Sequence, residues 1–157
     1  MFAKTQIAQP SLPPIMALAW AAGLTDGDGC VHIAKQTFSD PKRIHRPNFR
    51  IRLTISQSNL PVLQYFQQVV GVTGCVSAPK RTLQQNKQHY SLTYDGAQAL
   101  TVILKLRPFL VGKLAEVLVV IAFARVCRIN EHPGPQGQSP RIWKLREAYY
   151  KKLRRMK

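Results

Sequence analysis

The chain has 157 residues, 45% of them apolar, which is enough for one domain with a hydrophobic core and too few for two. Its 23 lysines and arginines outnumber its 7 aspartates and glutamates, and the resulting net charge of +16 argues against an enzyme of small neutral metabolites. A polyanionic partner, above all a nucleic acid, is expected instead.

A membrane partner and a disulfide framework are both disfavoured. The most apolar run, residues 114–126, is too short to span a bilayer, and neither a secretory nor a lipidation signal is present, so a membrane-surface protein is the weakest alternative. Cys30, Cys75 and Cys127 are widely spaced and odd in number, which indicates neither disulfides nor a structural zinc. We expect them to be reduced thiols in or near the core of an intracellular protein.

A first helix is predicted after Pro13 and Pro14, and it runs to about Thr25. Alanines and glycines recur along this helix, and side chains this small let a second helix approach closely. Two strands are predicted next. In NFRIRLTISQ, residues 48–57, apolar and polar residues alternate as in a strand with one face towards a core, and CVHIAKQT, residues 30–37, alternates less regularly.

Capping residues, prolines and renewed alternation predict the remaining elements. The basic, turn-rich connection between the first two strands indicates an antiparallel hairpin. The later elements are a helix at 58–71, a second hairpin at 74–94, a helix capped by Asp95 and reaching about Lys105, and a helix from about Pro108 to Cys127.

This order predicts an α+β fold in which helices pack on one face of an antiparallel sheet. The predicted organisation is an N-terminal tail at 1–12, a core domain at 13–129, a polar linker at 130–140 and a basic helix at 141–157.

Asp26 and Asp28 are a close acid pair at the predicted end of the first helix, where the negative end of the macrodipole makes carboxylates unfavourable by roughly 0.3 to 1 kcal/mol each. A divalent cation would reverse this effect, because Mg²⁺ and Ca²⁺ prefer oxygen ligands and the helix end adds carbonyl oxygens such as that of Gly27. One competing interpretation is an ordinary solvated turn, which Asp and Gly often form. The other is an EF-hand, which fits poorly because Cys30 and Thr37 would occupy ligand positions.

The run AAGLTDGDG, residues 21–29, resembles in this setting the motif of the LAGLIDADG homing endonuclease family. The predicted order of elements extends the resemblance to about residue 127, and the fold that it implies is αββαββα, a saddle-shaped antiparallel sheet with helices on one face. The matching residues are Gly23, Leu24, Asp26, Asp28 and Gly29, and the departures are Ala21, Thr25 and Gly27.

The resemblance implies a homodimer, since the chain holds one motif. In the family the motif helices of two subunits pack together, and each subunit reads half of a pseudo-palindromic site in double-stranded DNA. The small residues Ala19, Ala22 and Gly23 would then lie at the dimer interface.

The resemblance also implies a metal site. Asp28, with the carbonyl of Gly27 beside it, would bind Mg²⁺ at the scissile phosphates, whereas Asp26 would be a helix-end residue or lie behind the metal ligands. We expect Ca²⁺ to bind without supporting cleavage, and we expect no small-molecule cofactor.

Two further catalytic candidates accompany Asp28. Gln57 closes the second predicted strand, where relatives carry a water-positioning glutamine, and Lys113 falls where they carry a lysine near the attacked phosphate. The alternatives are a polar residue that flanks a helix and a surface charge, respectively. Leu60 and Pro61 follow the glutamine where some relatives have a basic residue, so the water network is expected to differ.

The polar side of the predicted sheet is the expected DNA-reading surface, because a two-stranded ribbon fits the major groove. Arg50 and Arg52 are the best candidates for base contacts, since arginine pairs with guanine. A merely solvated face is the alternative, but the net charge favours DNA. The candidate residues are His32, Gln36, Arg50, Arg52, Thr54, Ser77, Lys80, Arg81, His89 and Ser91.

These features predict a metal-dependent, sequence-specific double-strand DNA endonuclease that acts inside the cell, in a bacterial cytoplasm or an organelle. The alternative is a non-cleaving nucleic-acid-binding protein of the same fold, such as an intron maturase or a DNA-binding regulator. Such a binder would have no need of carboxylates near phosphate, which favours the nuclease.

Overall fold

A computed structural model describes residues 12–37, 48–79, 87–127 and 139–157, so the predicted tail and most of the predicted linker lie outside the described residues. Within these ranges the chain forms five α-helices and a four-stranded antiparallel sheet, which confirms the predicted fold class. The helices are α1 (Pro14–Asp28), α2 (Leu60–Val70), α3 (Gly96–Leu106), α4 (Leu114–Val126) and α5 (Pro140–Arg155), and the strands are β1 (Gly29–Gln36), β2 (Asn48–Gln57), β3 (Cys75–Ser77) and β4 (Tyr90–Asp95).

The sheet has the strand order β1-β2-β4-β3, and both predicted hairpins are present in it. In β2 every second residue from Phe49 to Ile55 is buried, as the alternation predicts, and the residues between them point to the opposite side. We call this polar, uncovered side the open face. Its central row is formed by His32, Arg52 and Asp95, which lie opposite one another on β1, β2 and β4.

Helices cover the apolar side of the sheet and form the core with it. Leu63 and Phe66 of α2, Ile103 of α3 and Phe123 of α4 are all 1% exposed or less. Helix α2 ends at Gly71, whose left-handed backbone (φ 67°) favours glycine and gives the predicted stop.

Helix α1 continues directly into β1. It runs nearly one turn beyond the predicted end at Thr25, so Asp26 and Asp28 lie in its last turn. The buried Thr25 hydroxyl donates to the carbonyl oxygen of Ala21 (2.9 Å). Gly29 has an extended backbone (φ −85°), but a Cβ there would collide with the Thr25 carbonyl oxygen, so close approach requires this glycine.

The prediction of one helix from about Pro108 to Cys127 is wrong at its start. A single 3-10 turn, Arg107–Phe109, follows α3, and α4 begins only at Leu114. The backbone amides of residues 111–113, between these elements, donate instead to a side chain of α1, as described below.

The prediction that the cysteines lie in or near the core is correct for Cys127, which is fully buried. Cys30 and Cys75 are exposed, because they lie opposite Thr54 and Thr93 on the open face of the sheet.

The basic helix predicted at the end of the chain packs one side onto the fold as α5. Trp143 and Tyr150 lie against Phe49, with ring centroids 5.9 Å apart in each pair. An ion pair between Lys35 of β1 and Glu147 of α5 (2.8 Å) also joins this helix to the sheet. None of the helices in the described parts of the chain is long and apolar enough to cross a membrane.

Candidate active site and nucleic-acid interface

The Asp26 side chain holds the loop that precedes α4. Its carboxylate accepts hydrogen bonds from the backbone amides of Val111 (2.8 Å), Gly112 (3.1 Å) and Lys113 (2.9 Å). These amides come directly before α4, whose N-cap is Lys113, and a negative charge near the N-terminal end of a helix is favoured by the macrodipole. Asp26 therefore connects the end of α1 to the start of α4.

These contacts also set the ionisation of Asp26. Partial burial favours the neutral acid, but the three amide donors and the charge of Lys113 outweigh it and lower the pKa of the Asp26 carboxyl below its ordinary value. The carboxylate is therefore ionised at neutral pH, and it remains paired with the loop.

Lys113 lies against the same helix end. Its ammonium group donates to the backbone carbonyl oxygen of Asp26 at 2.6 Å. A cation at the C-terminal end of a helix offsets the negative end of the macrodipole. Lys113, predicted as a catalytic residue with a surface charge as the alternative, is thus half-buried and fixed at the end of α1.

Asp28 and Gln57 contact each other at the C-terminal end of α1. Asp28 is exposed, and its carboxylate accepts a hydrogen bond from the side-chain amide of Gln57, the last residue of β2. The structure therefore brings the three predicted catalytic residues, Asp28, Gln57 and Lys113, to one end of α1.

The atoms that could hold a metal here are oxygens. The Asp28 carboxylate is exposed, and the carbonyl of Gly27 lies in the last turn of α1, where carbonyl groups lack partners within the helix. Hard donors of this kind suit Mg²⁺ or Ca²⁺. Within the described residues, no three His, Cys, Asp or Glu side chains cluster as metal ligands.

Most of the predicted reading residues lie on or beside the open face. Arg50, Arg52 and Thr54 are on the central strand β2, and His32 is on the neighbouring edge strand β1. Ser77 is paired with Ser91 in β3 and β4. Gln36 ends β1, and His89 is exposed just before β4, whereas Lys80 and Arg81 lie outside the described residues.

Arg52, a candidate for base contact, binds a carboxylate on the same face of the sheet. Its Nε and Nη2 groups donate to the two carboxylate oxygens of Asp95, at 2.6 and 3.0 Å. Asp95 is at the N-cap position of α3, as predicted, but its side chain makes no capping hydrogen bond. The expected capping role of Asp95 is therefore wrong, because the carboxylate turns to the neighbouring strand.

His32 lies on the other side of Arg52 in the same row. Burial, together with the positive charges of Lys157 and Arg52, lowers the pKa of His32 below its ordinary value, and Asp95 opposes this only weakly. Lys157 is held nearby because its ammonium group donates to the Cys30 sulfur at 2.9 Å. His32 is consequently neutral at neutral pH.

Of the three residues of α1 predicted to lie at a dimer interface, two are exposed and one is buried. Ala19 and Gly23 are exposed, whereas Ala22 is fully buried against the core of its own chain, so its predicted place at a dimer interface is wrong. Ile15 and Met16, which were not among the predicted interface residues, are 64% and 57% exposed. Their spacing of three to four residues from Ala19 is the signal that places them on its side of the helix.

Two other site features were also missed. The loop held by Asp26 could have been suspected from Gly112, since a glycine inside an apparent helix often marks its boundary. The pair of Arg52 and Asp95 depends on the register between β2 and β4, which no local pattern encodes.

Comparison with known proteins gives a family and a fold. The LAGLIDADG endonuclease family matches residues 21–116. No curated protein is a significant match. The homing endonuclease I-CvuI, solved in complex with its target, has a TM-score of 0.70 and 22% identity over 92% of this chain and 83% of that chain.

Two further solved structures are similar. The archaeal intron-encoded homing endonuclease I-Vdi141I, complexed with DNA, has a TM-score of 0.70 and 13% identity over 92% of this chain and 86% of that chain. The LAGLIDADG homing endonuclease I-GzeII, in complex with a DNA target, has a TM-score of 0.63 and 14% identity over 92% of this chain but only 44% of that chain. These likenesses show the fold, and because the family match covers more than half of the residues, the chain belongs to the LAGLIDADG endonuclease family.

Proposed function

We propose that the protein is a metal-dependent, sequence-specific endonuclease that cleaves double-stranded DNA as a homodimer. The observation that carries this proposal is the arrangement at the end of α1. There the exposed Asp28 carboxylate lies beside Gln57, while Lys113 is fixed at the same helix end.

The open face supports double-stranded DNA as the partner. Arg50 is exposed on β2 and Thr54 lies in the same strand, so this strand and β1 form a polar ribbon of the size that the major groove admits. The net charge of +16 supplies the attraction for phosphate, which is independent of sequence.

The homodimer is supported by the exposed side of α1. Ile15, Met16 and Ala19 present an apolar strip there. Apart from the neighbouring backbone of α1, no atom of the described residues lies within 4 Å of where a Cβ on Gly23 would be. A second copy packed on this side would place its own Asp28 beside the first, so that the two carboxylates could bind metal ions together. The chain matches most of I-Vdi141I, 86% of its length, but only 44% of I-GzeII, so it is similar in extent to about half of that larger chain, as one subunit of a pair would be.

The residues of this chain then have distinct tasks in phosphodiester hydrolysis. The Gln57 amide N–H orients the Asp28 carboxylate, and its carbonyl oxygen is left to accept a hydrogen from the attacking water. Lys113 brings positive charge to the end of α1, where the scissile phosphate would lie. Mg²⁺ held by Asp28 and the Gly27 carbonyl would supply an activated hydroxide and stabilise the charge on the leaving oxygen.

The experiment is incubation of the protein with a randomised duplex library, with Mg²⁺ or with Ca²⁺, followed by sequencing of cleaved and of bound molecules. We expect cleavage at one long pseudo-palindromic site in Mg²⁺, and binding without cleavage in Ca²⁺. Asp28→Asn should bind the same site but cleave at least about 100-fold more slowly.

Two results would overturn parts of this proposal. Specific binding by the wild type without cleavage in Mg²⁺ would leave a nucleic-acid-binding protein in place of a nuclease. Cleavage by Asp28→Asn at the wild-type rate would remove Asp28 from the active site.

A further inference from the structure

Arg52 and Asp95 form an ion pair in the middle of the open face. They are directly opposite each other on β2 and β4, and their two hydrogen bonds, of 2.6 and 3.0 Å, engage one side of the guanidinium group. Both side chains remain partly exposed, at 38% and 39%, so the pair lies at the surface that would face DNA.

Asp95 is an unusual residue for this position. A carboxylate on a DNA-facing sheet repels phosphates, and the chain as a whole contains few acids. Capping α3 would explain an aspartate here, but the Asp95 side chain makes no capping hydrogen bond, and Arg52 is its hydrogen-bonding partner among the described residues. The position of Asp95 therefore calls for an explanation that involves Arg52.

The geometry of the pair leaves the functional edge of Arg52 available. The contacts to Asp95 use the Nε hydrogen and one Nη2 hydrogen, so the Nη1 hydrogens and the second Nη2 hydrogen remain. The outer edge between Nη1 and Nη2 is the one that donates in parallel to O6 and N7 of guanine in the major groove. Since Asp95 accepts from the adjacent edge, formed by Nε and Nη2, it restricts the rotation of the guanidinium group and leaves the hydrogens of the outer edge available.

His32 does not compete for Asp95, although it lies in the same row on the other side of Arg52. It is neutral at neutral pH, and it flanks the arginine from β1 while Asp95 holds it from β4. The row therefore places Arg52 between an uncharged imidazole on β1 and the carboxylate that binds it on β4.

We propose that Asp95 is a positioning residue that orients Arg52 for bidentate recognition of one guanine in each half of the DNA site. This inference rests on the proposed function, because it assigns a base preference to the surface that would bind DNA. It makes Asp95 a determinant of specificity that contacts no DNA itself.

The test compares base preference across variants. Binding of the wild type to a randomised duplex library in Ca²⁺ should select guanine at one base pair per half-site, and Arg52→Ala should lose the preference there. Asp95→Asn should reduce the preference for guanine over adenine at that pair by about tenfold, with smaller changes elsewhere in the site. Asp95→Glu, which restores the charge, should recover part of the preference.

A matched control separates positioning from net charge. Glu147→Gln removes an acid from an ion pair with Lys35, on the contact between β1 and α5, and it raises the net charge by as much as Asp95→Asn does. It should strengthen binding to all sequences equally and leave the guanine preference intact. If Asp95→Asn does not fold, as judged by its thermal unfolding, Asp95→Glu and Arg52→Lys carry the comparison.

The outcomes distinguish this inference from the proposed function. If Asp95→Asn changes affinity for all sequences equally and keeps the wild-type base preference, Asp95 is not a positioning residue. If the wild type selects a site in which no guanine depends on Arg52, the inference is likewise wrong and the proposed function stands. Failure of the wild type to select any sequence would instead overturn the proposed function.

Discussion

At the scale of single residues, Asp26 and Asp28 contact different groups although they are two positions apart. Asp26 turns inward and accepts from three backbone amides, whereas Asp28 is exposed and accepts from Gln57. The difference follows from their positions in the last turn of α1, where residues two apart point in directions about 200° from each other. Stability and activity should therefore depend on different members of the pair.

Replacing Asp26 with asparagine should lower the free energy of unfolding by about 2 kcal/mol, because hydrogen bonds to a charged acceptor are lost at the start of α4. The pKa of Asp26 is below 3.8 in the folded protein, so its stabilising contribution is present above that pH and is lost as the pH falls through the folded pKa. The free energies of unfolding of the wild type and of Asp26→Asn, measured in urea, should therefore approach each other as the pH is lowered.

The exposed Asp28 gives the matched control. Asp28→Asn should change the free energy of unfolding at pH 7 by less than about 0.5 kcal/mol while abolishing cleavage. A loss of stability as large as that of Asp26→Asn would contradict the separation of the two residues.

His32 should make the protein less stable in mild acid. Because its folded pKa is below 6.5, the unfolded chain takes up the proton first as the pH falls, and stability is lost between pH 6.5 and the folded pKa. In urea unfolding at pH 5 to 7, His32→Gln should make the dependence on pH shallower. Lys157→Gln should give an intermediate slope, since it removes one of the charges that lower the pKa of His32. An unchanged slope in both variants would refute this account.

At the scale of elements, the direct passage from α1 into β1 fixes where the site lies. Gly29 permits it because only a hydrogen fits beside the Thr25 carbonyl, whereas the Cβ position at Gly27 is open. The two glycines of the DGDG run are thus not equivalent. Spacing alone cannot distinguish the steric need for glycine at position 29 from the freedom at position 27.

Gly29→Ala should destabilise the protein by about 3 kcal/mol, because the added methyl group meets backbone rather than a flexible side chain. Gly27→Ala should instead stabilise the isolated chain by about 0.5 to 1 kcal/mol, since it removes a glycine from a helix. Thermal unfolding of the two variants under one condition measures both effects, and equal changes would show that the contact at Gly29 is not limiting.

At the scale of the whole molecule, local patterns predict much of the fold but little of what joins its elements. The alternation at residues 48–57 and the glycine at 71 predict a strand and a helix end that the structure contains. The start of α4, the partner of Asp95 and the direction of Ala22 were missed, because each depends on contacts between elements far apart in the chain. The candidate site was located mainly by its motif, and its internal contacts emerged only from the fold.

The exposed apolar side of α1 is the feature that a single chain leaves without an explanation, and it leads to the last prediction. If two chains pair there, sedimentation equilibrium should show about twice the 17.7 kDa mass of one chain, and Met16→Glu should yield the monomer. The variant should still fold, because an acid in the first turn of a helix is favoured by the macrodipole. Leu104→Glu, on the exposed side of α3, should remain dimeric. A wild-type monomer bound to DNA would refute the dimer. If the Met16→Glu variant is monomeric and cleaves neither DNA strand, each active site needs both copies of Asp28.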